Sequence, residues 1–430
     1  MKTKKVAAIT FGCKVNQYET ACILDDFIQA GYELQKFSQP ADVYIINSCT
    51  VTNRTDYKSR NAIRKALKQK QRNSNVKVIV TGCYAQLNKA EIEWLGAVDL
   101  VIDNNHKNEI LKKLEEQDNS FQDVLEAEYF ADLSTSSMID KTRAFIKVQD
   151  GCDYYCAYCT IPFARGHSRS RDAKTVLEQI KKLTCAGYRE FVLGGINLGL
   201  YGREKLSDYR LAHLLYDIEQ ISDVKMIRLS SIEPLLFDDE LLEFLKKSNK
   251  ICPHFHIPLQ SGSDILLKKM NRHYTTAQFR QKLEVLREIF PDAAFGFDLV
   301  VGLPGETEQF FAETYRFLQE LDFTYLHLFS YSKRPGTKAA EMKGQVNGRI
   351  IKERVNILKE LSNKKTALYS KHLLDNQIRM RGIAETEQDG YWTALSDHYM
   401  RIYQQKPKLQ QGDIIQGNPT QIFRDGLLIQ

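Results

Sequence analysis

Short apolar runs alternate with amphipathic stretches along the first 130 residues, the pattern of strands each followed by a helix. Residues 6–11 are apolar and run into Gly12-Cys13. Tyr18, Ala21, Cys22, Leu24, Phe27 and Ile28 then recur at helical spacing, so a helix is expected over 18–30, ended by Gly31. Residues 43–46 form a buried-type strand entering Asn47-Ser48-Cys49. Residues 76–80 form another entering Thr81-Gly82-Cys83, and 98–102 one more. In a parallel α/β sheet the C-terminal strand ends share one edge, and ligands bind there. Cys13, Cys49 and Cys83 each follow such an end, so they are expected to converge. Residues 111–140, polar and acidic with Glu115, Glu116, Asp118 and Ser134-Thr135-Ser136-Ser137, read as a connector.

Beyond the connector, strand-like runs at 144–148, 190–193, 225–230, 254–259, 295–301 and 325–331 alternate with helix-like runs at 173–186, 208–220, 238–247, 276–289 and 306–321. Repeated βα units with short loops imply a parallel barrel, and six units make it a partial (β/α)6 barrel, short of the eight that close one. The unusual polar or glycine-rich segments fall just past strand ends: Cys152, Gly194-Gly195, Ser231 to Glu233, Gln260-Ser261-Gly262, Gly302 and Ser332-Lys333-Arg334-Pro335-Gly336-Thr337. Active sites of such barrels are built from those loops. A helix over 348–370 leads to a tail with strands at 378–386, 391–394, 399–404 and 413–416, and turns at Asp389-Gly390 and Asp425-Gly426. The fold class is therefore α/β, with a parallel N-terminal α/β domain (1–130), a partial barrel (138–369) and a small C-terminal β-barrel (370–430).

Composition narrows the setting. The 430 residues are 43% hydrophobic, enough for a sizeable core, and the net charge of +6 permits a nucleic-acid partner without demanding one. Nine cysteines argue against a pure disulfide framework, and six of them fall in two triplets, so thiolate ligation in a reducing cytoplasm is expected. Cys22, Cys185 and Cys252 read as buried small residues. No apolar run approaches the roughly 18 residues of a membrane span. The start superficially resembles a lipoprotein leader, but its apolar stretch is short and enters Lys14-Val15-Asn16-Gln17, so it reads as a first strand. Arg54, Lys58, Arg60, Arg64, Lys65, Lys68, Lys70, Arg72 and Lys77 form a basic run opposed only by Asp56. It is either a solvated helix face or a track for RNA phosphates.

The chemistry concentrates in Gly151-Cys152-Asp153-Tyr154-Tyr155-Cys156-Ala157-Tyr158-Cys159. These three cysteines have no fourth Cys or His within the same short stretch, whereas structural zinc and ordinary electron-transfer clusters use four protein ligands. Three thiolates can hold a cubane [4Fe-4S] cluster with one iron open to a small molecule. The spacing Cys-x3-Cys-x2-Cys resembles the signature of radical S-adenosylmethionine (SAM) enzymes.

The order of parts resembles the methylthiotransferases, which carry an N-terminal cluster domain, a radical SAM core and a C-terminal TRAM domain, an OB-like RNA-binding β-barrel. The resemblance rests on Gly12-Cys13-Lys14-Val15-Asn16-Gln17-Tyr18-Glu19, Asn47-Ser48-Cys49-Thr50-Val51-Thr52, Thr81-Gly82-Cys83-Tyr84-Ala85-Gln86, and the second triplet with Ile161-Pro162-Phe163-Ala164-Arg165-Gly166. The first of these motifs and Arg228-Leu229-Ser230-Ser231-Ile232-Glu233-Pro234 look like the group acting on N6-threonylcarbamoyladenosine (t6A) in tRNA. The alternatives are the groups acting on isopentenyladenosine in tRNA or on an aspartate of ribosomal protein S12. An alternative of another class is a non-catalytic Fe–S protein that binds RNA. Thr160 and Phe163 depart from the commoner Ile and Tyr, and neither is a ligand.

The resemblance implies two [4Fe-4S] clusters, on Cys152, Cys156 and Cys159 and on Cys13, Cys49 and Cys83. The first cleaves SAM to a 5′-deoxyadenosyl radical, and the second takes part in sulfur insertion at C2 of adenine, an unactivated C–H position. Gly194, Gly195, Ser231, Glu233, Gln260, Asp298 and Gly302 are the expected SAM contacts, the Gly194-Gly195 turn allowing close backbone approach. Arg54, Lys58, Arg60, Arg64, Lys65 and Lys68 are the expected RNA contacts. Tyr391, Trp392 and Tyr399 are either tail core or base-stacking platforms. Expected partners are tRNA carrying t6A and a flavodoxin- or ferredoxin-type reductant, with no membrane. A monomer is expected.

Overall fold

The computed structural model describes residues 3–138, 141–206, 208–405 and 408–430. Met1, Lys2 and the last two residues of the connector lie outside them. The chain packs as two compact units: Met1–Ile139 with Lys147–Gln179 and Ser332–Thr337, and Asp140–Ile146 with Ile180–Tyr331 and Lys338–Gln430.

The first unit is built on a five-stranded parallel sheet. Its elements are β1 (Lys5–Thr10), α1 (Lys14–Gln29), β2 (Glu33–Gln35), β3 (Val43–Ser48), α2 (Asn53–Arg72), β4 (Lys77–Gly82), α3 (Cys83–Leu87) and, after a short helix, β5 (Leu100–Val101). Sheet order is β2-β1-β3-β4-β5. The strands read as unbroken apolar runs because both faces are covered. Val43, Ile45 and Ile79 cluster with Ile23, Leu24 and Phe27, while Tyr44, Ile46, Val78 and Val80 cluster with Ala62, Ile63, Ala66 and Leu67. Two features escaped the apolar pattern. β2 is three residues of mostly exposed edge, and α1 starts at Lys14 rather than near 18 because its first turn buries the polar Asn16. α2 starts at a reciprocal cap: Thr52 Oγ1 accepts from the Thr55 amide at 3.3 Å, and Thr55 Oγ1 from the Thr52 amide at 3.1 Å.

In the second unit, the strands Ala144–Lys147 (its last residue falling to the first unit), Glu190–Gly194 and Met226–Leu229 form one three-stranded sheet. His254–Gln260, Ala294–Val301 and Tyr325–Ser330 form another, and a parallel bridge joins Ile227 to Ile251. Strand order follows sequence order, the expected partial barrel. The intervening helices run Leu211–Glu219, Asp239–Lys247, Thr276–Ile289 and Glu308–Glu320, within a few residues of their expected bounds. The bridging helix is Gly348–Asp375, five residues longer than the pattern indicated, because Leu373 still packs into the tail's core.

The tail pairs Met380–Ile383 with Ile414–Gly417. A five-stranded sheet carries Thr386–Gln388, Tyr391–Leu395, Arg401–Gln404, Gly426–Ile429 and Pro419–Phe423 in that order. The closing hairpin was not foreseen, since Thr420, Gln421 and Ile422 form an exposed edge without an apolar signature. Cys185 corrects another expectation: it is exposed at the end of the Ala173–Cys185 helix, whereas Cys22 and Cys252 are buried as expected.

Candidate functional site

β1, β3 and β4 are adjacent and parallel, with Thr10 opposite Asn47 and Ser48 opposite Gly82. Cys13 caps α1 just past β1, Cys49 directly follows β3, and Cys83 opens α3 directly after β4. The expected convergence is met. Two backbone positions enforce it. Gly12 and Gly82 both have φ of +97°, and a Cβ would lie 2.7 Å from Cys49 Sγ at Gly12 and 2.2 Å from Ser48 O at Gly82. All three thiols are free. Burial pushes the Cys49 thiol up to about 12, with Cys83 and Cys13 adding to it. Cys13 reaches the surface, yet desolvation of its thiol likewise raises it, against the pull of the Arg165 guanidinium and with a further push from Cys83. The thiols thus feel one another, and binding a metal would take their protons outright.

The second triplet sits in the same compact unit. Gly151 has φ of +73°, and a Cβ there would fall 1.9 Å from His167 O. The Cys152 amide donates to Gly166 O at 3.1 Å, the Cys159 amide to Cys156 O at 2.9 Å, and the Ile161 amide to Cys159 Sγ at 3.4 Å. Asp153 accepts from the Ser168 amide at 3.0 Å and meets His167 at 2.7 Å, pinning the loop at its other side. Among the described residues, the group of ligating side chains with donor atoms within 4.8 Å of one another is His256, Asp298 and His327.

A buried ion network ties the two cysteine loops together. Glu19, fully buried, accepts on Oε1 from Lys147 at 2.8 Å and Arg165 at 2.8 Å, and on Oε2 from Lys107 and from Arg165 at 3.1 Å. Arg165 also reaches Asp150 at 2.9 Å and Asn16 Oδ1, and Lys147 reaches Asp150 at 2.6 Å. Asn16 in turn donates to Phe11 O at 2.8 Å and Ser48 O at 3.1 Å, bracketing Gly12-Cys13 and Cys49. The Ile161–Arg165 helix packs on α3, and Asn104 donates to Ala164 O at 2.6 Å. Burial would raise the Glu19 carboxyl, but Arg165, Lys107 and Lys147 hold it well below the usual range. Asp150 is lowered against its burial by Arg165 and Lys147. Burial lowers the Lys107 ammonium in spite of Glu19. Asn16, Glu19 and Arg165 lie inside the motifs quoted above, but Lys107, Lys147 and Asp150 gave no signal as partners.

The segment Ser332–Thr337 belongs to this unit. Arg334 is buried, donating to Thr50 Oγ1, Asn53 Oδ1 and Asp56 Oδ2, each at 2.6 Å, next to Cys49. Asp56 is therefore consumed internally. Arg54, Lys58, Arg64, Lys65 and Lys68 are exposed on α2, whereas Arg60 is tied to Glu91 at 3.2 Å and Tyr84 at 3.3 Å.

In the second unit the positions expected at SAM have diverse surroundings. Gly194 lacks a side chain because the Phe145 ring occupies that space, 2.3 Å from a Cβ built there. Glu233 pairs with Arg272. Gly302, at φ +85°, makes room for Ile351 and donates to Glu306 Oε2 at 3.0 Å. Gln260 takes a left-handed φ of +63° where the strand register shifts, strain of the kind found at ligand sites. Gly195 and Ser231 are partly exposed, and Asp298 sits with two histidines. Tyr399 stacks on His254 at 4.0 Å and Trp392 packs on the tail core, so core packing is the reading the structure gives both.

Two family models match the chain: the uncharacterized protein family UPF0004 over residues 5–103 and the radical SAM superfamily over residues 146–318. A solved radical SAM methyltransferase, TsrM from Kitasatospora setae with cobalamin and a [4Fe-4S] cluster bound, shares the fold with a TM-score of 0.60. Identity is 14%, over 79% of this chain and 77% of that one. Fold, cysteine loops and family models thus define a radical SAM protein with an added cysteine-bearing α/β domain and a small β-sheet tail. The threonylcarbamoyladenosine tRNA methylthiotransferase MtaB of Bacillus subtilis is 42% identical, over 92% of this chain and 89% of that protein. The protein of the same name from Aquifex aeolicus is 41% identical, over 93% and 96%. The chain belongs to the family of threonylcarbamoyladenosine tRNA methylthiotransferases.

Proposed function

We propose that this chain converts N6-threonylcarbamoyladenosine, 3′ of the anticodon in tRNA, to its 2-methylthio derivative by radical SAM chemistry. The observation that carries this is the packing of two cysteine triplets in one unit, in a chain 42% identical to an enzyme of that name. Cys152, Cys156 and Cys159 would hold one [4Fe-4S] cluster and Cys13, Cys49 and Cys83 a second. When bound, these clusters supply the electron that splits SAM and the iron at which sulfur is handled.

The chain's own residues supply the frame. Gly12 and Gly82 set the backbone that presents the first triplet, and Glu19 and Arg165 hold the loops of both. Gly194, Gly195, Ser231, Glu233, Gln260 and Gly302 would meet SAM from the strand ends, with Phe145 against Gly194, Arg272 paired to Glu233 and Ile351 against Gly302. Arg54, Lys58, Arg64, Lys65 and Lys68 present a cationic face to tRNA phosphates. No helix of the described residues is long and apolar enough to cross a membrane. A monomer in the cytoplasm, divided at 1–130, 138–369 and 370–430 and reduced by a flavodoxin- or ferredoxin-type protein, completes the reading.

Mass spectrometry of tRNA nucleosides from a deletion strain tests it. The 2-methylthio derivative of t6A should vanish and t6A accumulate. An unchanged level of that derivative, in a strain with no second such enzyme, overturns the assignment, as does loss of methylthiolated isopentenyladenosine instead.

A further inference from the structure

The strands His254–Gln260, Ala294–Val301 and Tyr325–Ser330 divide their side chains between two faces. Phe255 packs with Phe290 and Phe295 on one face, where Phe297 also packs with Phe279 and Phe323. His256, Asp298 and His327 lie on the other, the barrel's inner face, with Asp298 directly opposite His327 in register. Asp298 Oδ1 stands 2.8 Å from His256 Nε2 and 3.5 Å from His327 Nδ1, and the two imidazole centroids are 4.8 Å apart. Toward the N-terminal ends of these strands, Tyr399 stacks between His254 and Tyr325, with centroid distances of 4.0 and 5.2 Å, and fills that end.

A βα barrel normally packs this space with branched apolar side chains. Here the middle layer is a carboxylate between two imidazoles, and it stays partly open. The side chains of His256, Asp298 and His327 are 14%, 19% and 43% exposed. Burial pushes the Asp298 carboxyl up, but the two histidines outweigh it and hold the group at about 2. A permanently ionised acceptor flanked by two imidazoles is a costly filling for a barrel unless a ligand uses it.

The geometry points to a substrate subsite: His256, Asp298 and His327 receive the threonylcarbamoyl substituent of the target adenosine. This rests on the function proposed above and names the residues that recognise its substrate. The substituent carries a carboxylate, a hydroxyl and urea N–H groups. His256 spends its Nε2–H on Asp298, so His327, 3.5 Å away, supplies the N–H that meets the carboxylate, and the remaining lone pairs of Asp298 accept from the hydroxyl or a urea N–H. An isopentenyl group offers none of these and would desolvate His327 and the remaining lone pairs of Asp298 without bonding them. A site built to hydrogen-bond its substrate rejects an apolar analogue far more strongly than an apolar pocket rejects a polar one. Asp298 thereby becomes a substrate contact rather than a SAM contact, and His327, the most open of the three, the specificity-determining residue.

Binding of anticodon stem-loop RNAs carrying t6A, isopentenyladenosine or unmodified adenosine tests this, by fluorescence anisotropy with the full-length, anaerobically reconstituted protein. Wild type should prefer the t6A RNA over unmodified RNA by about tenfold or more, the worth of one or two hydrogen bonds. His327→Leu should bring that ratio near one, and His327→Gln should fall between. Each ratio is taken within one preparation, so partial unfolding of a variant cancels. Methylthiolation of the t6A RNA by wild type is run alongside. Product formation together with undiminished preference in both variants overturns the subsite alone, whereas absence of product overturns the function with it. Stoichiometric zinc retained by wild type and lost in His327→Leu would make the trio a metal site and also overturn the inference.

Discussion

Replacing Glu19 by Gln removes the one carboxylate that three buried cations share, and its cost follows from the geometry. Both carboxylate oxygens accept two charged donors each, from Lys107, Lys147 and Arg165, with no exposure to water. In Glu19→Gln only Asp150 remains to balance them, and the amide must turn an NH2 toward a cation. Breaking a buried ion pair by neutralising one partner costs about 3–5 kcal/mol. For a unit of this size that corresponds to a drop of roughly 6–20 °C in midpoint. The pH dependence has a definite sign. Because the folded carboxyl is held well below its ordinary 4.5, the Glu19 contribution is complete above that pH and is lost as pH falls through the folded value. Thermal and urea unfolding of cluster-free wild type and Glu19→Gln should show a constant gap from pH 6 to 8 that closes on acidification. A gap under about 1 kcal/mol at neutral pH, below the low end of the range for buried pairs, would refute the reasoning. So would a gap that widens in acid.

Cys13→Ala should retain SAM cleavage but lose methylthiolation, and Cys156→Ala should lose both, as read by 5′-deoxyadenosine and modified nucleoside. Arg228→Met should cost about 3–5 kcal/mol in urea unfolding. It strands the buried Glu190 carboxylate, 2.9 Å away, and gives up the Ser396 and Asp397 carbonyls. Adding Glu190→Leu should restore most of that loss. Replacing Lys58, Arg64, Lys65 and Lys68 by Gln should flatten the dependence of log tRNA affinity on log salt by roughly 0.7–0.9 for each phosphate no longer neutralised. An unchanged slope would reduce this face of α2 to a solvated surface. Arg60→Gln should change the slope less, since that guanidinium is held by Glu91 and Tyr84.

What could be read directly in the sequence was whatever local pattern determines. Unbroken apolar runs ending at Cys13, Cys49 and Cys83 fixed a parallel sheet with its cysteines on one edge, because neither strand burial nor strand direction needs a distant partner to be seen. The partial barrel followed from the same alternation. The ion network was illegible as a network: Glu19 and Arg165 are 146 positions apart, and a buried Lys107 or Lys147 looks like any surface lysine until the fold places a carboxylate against it. Why position 194 must be glycine was hidden for a similar reason, since nothing in the local sequence shows that the Phe145 ring fills the space of a side chain there. Arg334 sat among loop residues of the barrel, yet it packs with Thr50 and Asp56 because buried acceptors there need a fork of donors. Exposed edges such as β2 and the Pro419–Phe423 strand carry little apolar signal and went unseen.

The most direct test is an iron and sulfide count with Mössbauer spectra of the protein reconstituted without oxygen. Two cysteine tripods predict about eight irons per chain, all in cubane clusters, falling to about four when Cys13, Cys49 and Cys83, or alternatively Cys152, Cys156 and Cys159, are replaced by Ala. About four irons in the wild type, or a triple replacement that leaves the count unchanged, would contradict the account.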